Sequence, residues 1–290
     1  MQKYTEPCIN TSSFAKLCNT NKRTLIHYDE IGLFKPAYTD ERGYRYYSET
    51  QCDTFYTITC LKDLGMPLKD IKPYVNDKNP DNFKKLLSEQ QQKVRQELQH
   101  LKRIEQVINN KLSLISEGQN LCFDQSGCTL PILEHYETEH FALTPFLGTN
   151  EHEQLFPALC EHIGEINHQL LNIGHSYGAI MHVSDLKSAI YDNYAYFMTK
   201  ISDTSSDLPI HQRNCGTYAA IYLQGDYYEA EIAFQKLLHY IEQQELIPGE
   251  FCYKEAIWDE LTVNDKQSYI TKISIPVFYK YKLDAEIRTP

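Results

Sequence analysis

Between Asp81 and Glu117 the chain runs without a glycine or a proline. In it Leu87, Val94, Leu101, Ile108 and Ile115 recur every seven residues, with Leu98 and Leu112 four residues after two of them. Five successive heptad positions predict one long helix with a coiled-coil seam, and a seam needs a partner helix to cover it. No second helix of this kind exists in the sequence, so the economical partner is another copy of the chain. The spacing therefore predicts a homodimer joined through a coiled coil at 79–118, taken to be antiparallel, with one domain before it (1–78) and one after it (119–290). The fold class expected is α+β.

Charge divides along the same line. Residues 1–117 hold 18 Lys and Arg against 15 Asp and Glu, and residues 118–290 hold 10 against 24. The first part is +3 and the second −14, although the whole is −11. A chain divided this way carries two different surfaces: the acidic half repels phosphate and attracts cations. Nine cysteines in no framework spacing predict reduced thiols and a cytoplasmic protein. The opening residues lack a secretory signal, and no apolar run reaches the ~18 residues of a membrane span.

Residues 12–34 read as two short helices around a tight turn. Ser12 is a cap for the first, and Asn21 for the second, which opens on Lys22, Arg23 and Thr24. Basic residues in a first turn oppose the helix dipole, which favours anions there, so an external anion is implied. The arrangement is a helix-turn-helix, whose second helix enters the DNA major groove. The turn-rich stretch 35–48 reads as a β-wing, Ser48–Gln51 as a capping box opening a third helix, and Gly65 and Pro67 as the boundary of a fourth. Beyond the long helix one pattern occurs twice: an extended stretch, an amphipathic helix and two strands. The helices are expected near Glu153–Leu171 and Tyr228–Gln244. This predicts a duplicated β-α-β-β domain with an antiparallel sheet backed by helices and a cleft on its pseudo-symmetry axis.

The first 117 residues resemble the MerR family of transcription regulators, through "FAKLCNTNKRTLIHYDEIGLFKP", "GYRYYS" and "LKDLGMPLKDI" followed by the dimerising helix. The chain departs from the family's Arg-Tyr-Tyr-Asp at Ile26, His27, Tyr28 and Asp29, so a phosphate-binding arginine is absent and Lys22 would replace it in part. The remainder resembles the gyrase-inhibitor-like effector domain of multidrug-sensing members, through Ser176–Ala179, Glu255 and Tyr269. The resemblance implies a ligand-controlled activator that binds double-stranded promoter DNA and distorts it so that RNA polymerase reads both promoter elements. It implies a lipophilic, cationic effector held by a buried glutamate and aromatic rings.

On these grounds Lys22, Arg23 and Thr24 are the DNA-contacting candidates, with Arg45 and Tyr46 of the wing on the backbone. His27 either bonds to DNA or sits free on the surface, and Tyr28 either reaches DNA or packs inside. The effector candidates are Tyr177, Tyr194, Tyr196, Glu255, Trp258 and Tyr269, since rings attract a cation by about 0.5–2 kcal/mol each. Glu255 either pairs with Lys254 or another lysine, or receives the cation. Cys122 and Cys128 offer a second reading, metal or redox sensing, but CxxxxxC without a neighbouring histidine is a sparse donor set. A third reading has Glu255 and Tyr177 as a hydrolytic pair. No other catalytic, cofactor or metal motif is present, and the expectation is a protein that is not an enzyme.

Overall fold

The computed structural model describes residues 7–146, 152–202, 204–227 and 229–280. The chain divides inside its long helix into two units, Met1–His100 and Leu101–Pro290.

In the first unit, α1 (Thr11–Leu17) is capped by Asn10, whose side-chain oxygen accepts the Ser13 N–H at 3.0 Å. The expected cap, Ser12, lies within the first turn, because the asparagine two residues earlier has the extended backbone a cap requires. Asn21 caps α2 (Lys22–Glu30), accepting the Thr24 N–H at 2.8 Å. The wing is a three-stranded sheet, since β1 (Cys8–Asn10) adds to the hairpin of β2 (Tyr38–Thr39) and β3 (Arg45–Ser48). Helix α3 (Gln51–Asp63) has half of its capping box: Gln51 accepts the Ser48 N–H at 3.1 Å, while the Ser48 hydroxyl bonds to that of Thr50. Helix α4 (Leu68–Asn76) follows Pro67. Phe14, Leu25, Tyr28, Phe34, Tyr47 and Phe55 fill the core between these elements, Phe14 stacking on Tyr47 at 4.8 Å.

Helix α5 (Pro80–Gln119) is continuous over 40 residues. Its heptad residues divide in burial. Leu87 packs on the core of the first unit and Ile115 is half-buried, whereas Val94, Leu98, Leu101, Ile108 and Leu112 are each about half exposed. Among the described residues no helix is long and apolar enough to cross a membrane.

The second unit is built on one antiparallel nine-stranded sheet. Its strands are β4 (Ile132–Tyr136), β5 (Glu139–Pro145), β6 (Tyr177–His182), β7 (Tyr194–Ile201), β8 (Ile210–Arg213), β9 (Gly216–Gln224), β10 (Leu246–Pro248), β11 (Phe251–Trp258) and β12 (Ile270–Tyr279). Helix α6 (His152–His168) precedes β6, α7 (Val183–Lys187) follows it, and α8 (Glu231–Gln243) precedes β10. The order β4-β9-β12-β11-β6-β7-β5-β8, with β10 beside β12, makes the duplication visible. The unit β5-α6-β6-β7 corresponds to β9-α8-β11-β12, and the two meet at the β6–β11 pair. Each repeat also has one leading strand, and the two are exchanged: β4 lies on the edge of the second repeat and β8 on the edge of the first. Tyr228, the expected start of α8, lies outside the described residues.

Strand alternation gives the sheet two unlike faces. One is apolar and covered by α6, α7 and α8, with Leu155, Leu186, Phe234 and Leu237 against Ala179, Ile221 and Ile273. The last turns of α5 lie against the other, where Leu114 meets Tyr222, Ile257 and Ile270. Lys254 points into the helix-covered face and is fully buried. Its ammonium lies 3.9 Å from the Tyr227 ring centroid and 5.5 Å from that of Tyr194, and Tyr194 Oη is 3.4 Å away. Burial pushes its pKa down from 10.5 to about 7. Between those two values the unfolded chain holds the extra proton, so this group's contribution to stability rises as pH rises across the window. Lys254→Met removes the ionisable group. It is expected to stabilise the protein by about 1–3 kcal/mol at pH 7, with the advantage shrinking toward pH 10, as read by denaturant unfolding at a series of pH values.

Candidate nucleic-acid interface and effector cavity

The second helix of the first unit has a buried side and a free side. Leu25 and Tyr28 are in the core, Tyr28 beside Phe55, while Lys22, Arg23 and His27 are exposed. Thr24 is half-buried, with its hydroxyl 3.1 Å from the cap oxygen of Asn21. The exposed first turn thus turns two cations outward at the positive end of the helix dipole, an arrangement suited to a phosphate. Of the seven DNA candidates, Tyr28 is the one the fold withdraws from that face. In the wing, Arg45 donates through Nε to Asp29 at 2.7 Å, tying β3 to α2, and Tyr46 stacks on Tyr38 at 4.8 Å.

In the second unit a cavity of about 180 Å³ opens on the sheet face opposite α6, α7 and α8. Gly178 is part of its lining, where the strands approach so closely that a Cβ would lie 2.5 Å from the Lys254 carbonyl oxygen and 2.9 Å from the Met198 methyl. Gly178 is the cross-strand partner of Glu255, at the centre of the duplication. The Glu255 carboxylate accepts a hydrogen bond from Arg213 Nη1 at 2.7 Å, and Arg213 Nε donates to Glu139 at 2.7 Å. Arg213 is 1% exposed and is ringed by aromatics. The centroids of Tyr136, Phe141, Tyr253 and Tyr218 lie 4.3, 5.0, 5.1 and 5.8 Å from its Cζ. Burial works to lower its pKa, but Glu255 and Glu139 outweigh this and hold the guanidinium charged.

The other charges of the cavity are paired too. Lys200 bonds to Glu139, and burial of that carboxyl is outweighed by Arg213 and Lys200, which hold it below the usual carboxylate range. Lys272 reaches Glu134 at 2.8 Å and Glu117 of α5 at 3.2 Å, over the rings of Tyr136 and Tyr222. Tyr222 donates to Glu117 at 2.7 Å. His175, at the rim, is driven down to about 4 by burial and by Lys200, and is a neutral ring at pH 7. The cavity can therefore hold a flat, partly apolar molecule against rings and exchange hydrogen bonds with both carboxylates and cations.

Of the six effector candidates, Glu255 alone lines this cavity. Tyr196 belongs to the same aromatic cluster, farther along β7. Tyr177 and Tyr194 pack on the helix-covered face, so Tyr177 and Glu255 stand on opposite sides of the sheet. Lys254 and Glu255 are likewise on opposite faces, so the alternative that pairs them does not hold, and the partner of Glu255 is Arg213. Trp258 lies against α5, donating to the Leu114 carbonyl at 3.3 Å, and a Cβ on Gly118 would come within 2.3 Å of its ring nitrogen. Tyr269 caps a short 3-10 turn before β12. Tyr136, Glu139, Phe141, Lys200, Arg213 and Lys272 are cavity residues that the sequence reading passes over. Alternation counted outward from Glu255 finds Tyr253, and across the strand pairs it finds Lys272. Cys122 is exposed and Cys128 is buried, bridged to Leu223 of β9, and among the described residues no group of three or more His, Cys, Asp or Glu side chains could hold a metal.

Residues 9–78 match the model of the MerR HTH family of regulatory proteins. The regulator of multidrug-efflux transporter 2 of Bacillus subtilis (strain 168) is 32% identical over 92% of this chain and 95% of its own. The regulator of multidrug-efflux transporter 1 of the same organism is 24% identical over 91% and 95%. Among solved structures, the EcmrR–DNA complex determined by cryo-EM aligns with 93% of this chain and all of its own, at 17% identity and a TM-score of 0.43. The chain belongs to the MerR HTH family of regulatory proteins, and it is a DNA-binding, ligand-responsive transcriptional regulator.

Proposed function

We propose that the chain acts as a homodimer joined along α5, grips promoter DNA with α2 and the wing of each protomer, and activates transcription when an amphiphilic compound with a cationic centre enters the Glu255 cavity. The observation that carries the DNA reading is the outward, basic first turn of α2 on a helix whose other side is locked into an aromatic core. Lys22, Arg23 and Thr24 are the proposed helix contacts, with His27 beside them and Arg45 and Tyr46 on the backbone. On this reading activation works through distortion of the bound promoter, which RNA polymerase then reads. The names of the two relatives, regulators of multidrug-efflux transporters, support a chemically varied effector and a transporter gene as target. The cavity binds its ligand and does not turn it over. A thermal-unfolding screen against flat organic compounds of differing charge tests the effector assignment, since a ligand of the native state raises the midpoint by mass action.

Arg23→Ala is expected to weaken binding by at least ~1 kcal/mol per protomer to a duplex selected from a random pool by the wild-type protein. Affinity of the wild type should also fall steeply with salt as counterions are released. Fluorescence anisotropy of the labelled duplex measures both, and unchanged affinity in a folded Arg23→Ala protein rules out α2 as the docking helix.

Leu101→Asp places a charge in the middle of the seam, where half-exposed apolar residues await a partner. A buried, unpaired carboxylate costs several kcal/mol of dimer stability. Sedimentation equilibrium should report monomers, and a persistent dimer of wild-type affinity would place the interface elsewhere.

A further inference from the structure

The cavity already contains a cation of the kind its rings and carboxylates are suited to hold. Arg213 stands on the exchanged strand β8, its guanidinium bridging Glu255 and Glu139 inside the cage of Tyr136, Phe141, Tyr218 and Tyr253. Lysines pair the other carboxylates, Lys200 with Glu139 and Lys272 with both Glu117 and Glu134; Glu134 stands outside the lining, whose own charges are three acids against three bases. A simple cation entering this site meets no uncompensated carboxylate. If it takes Glu255, it strips one partner from a guanidinium that has no access to water. A molecule that also carries an acid group avoids that loss, because the acid replaces the carboxylate the guanidinium gives up.

We propose that Arg213 is the resident cation of the cavity and that the effector is a zwitterion, whose cationic centre takes over Glu255 while its acid group receives the freed guanidinium. This rests on the assignment of the Glu255 cavity as the effector site. Selectivity then follows from the distance between the two charges of the ligand and not from net positive charge. The lysines reinforce it: Lys200 lies beside the same Glu139 and offers a second donor to the acid group. β8 is an edge strand held by β5 alone, so Arg213 can shift with little loss of sheet pairing.

A matched pair of probes tests this: 1-methylquinolinium-3-carboxylate, a zwitterion, and its methyl ester, a cation of nearly the same shape. Isothermal titration into the full chain should give binding of the zwitterion tighter by at least about tenfold. Arg213→Met removes the guanidinium while keeping an apolar stem, and should invert the order. Arg213→Lys retains a cation and should keep the zwitterion ahead, which covers the case in which Arg213→Met does not fold. A wild-type preference for the zwitterion of less than tenfold, or an ester preferred by Arg213→Lys, overturns the proposal while leaving the effector site in place. Heat from neither probe, with duplex binding intact, overturns the effector-site reading and this inference together.

Discussion

The second unit is organised around one buried guanidinium. Arg213 on β8 touches Glu139 on β5, Glu255 on β11, Tyr136 on β4 and Tyr218 on β9, so four other strands, drawn from both repeats, converge on it. Desolvating a charge to 1% exposure is costly by itself. Two carboxylates and four ring faces offset that cost, and each occupies a definite strand position. Sheet register and charge pairing therefore enforce one another: a slip of β8 by one residue would turn Arg213 to the opposite face and take from Glu255 its ion-pair partner.

Neighbouring residues on β11 illustrate two ways to bury a cation-bearing site. Glu255 faces the cavity and has an arginine as its ion-pair partner. Lys254 faces the helix layer, where it meets Tyr194 and Tyr227 and has a depressed pKa. The first site offsets burial with an ion pair. The second site tolerates the loss of its charge. A single strand thus carries an ion-paired carboxylate on one side and a buried amine of depressed pKa on the other.

Legibility in the sequence follows the range of the forces involved. The long helix α5, the two helices of the helix-turn-helix and the β-α-β-β repeat depend on periodicity and capping within a few residues, and all are readable from the chain. Their errors are local, such as Asn10 capping where Ser12 is expected. Glu255 is also readable, but its surroundings are not. Arg213 lies 42 and 74 residues from its two carboxylates, on a four-residue strand too short to announce itself. Trp258 escapes simple counting because the register shifts between Ala256 and Trp258, which turns its ring toward α5. Tyr177 and Tyr194 are aromatic and in strands, yet only pairing across the sheet decides which face they take.

The exchange of leading strands has a consequence for how this domain is made. β4 is synthesised ahead of the first repeat, yet it pairs with β9, so Ile132 waits for Ala220 to leave the ribosome. Neither half can complete its own sheet, and a chain stopped after β7 would present bare edges at β5 and β6. Closure demands contacts far apart in sequence, which favours slow folding relative to the helical N-terminal unit. The first unit can thus be in place before the second exists, and a partly made chain resembles a DNA-binding module that has not yet acquired the cavity meant to control it.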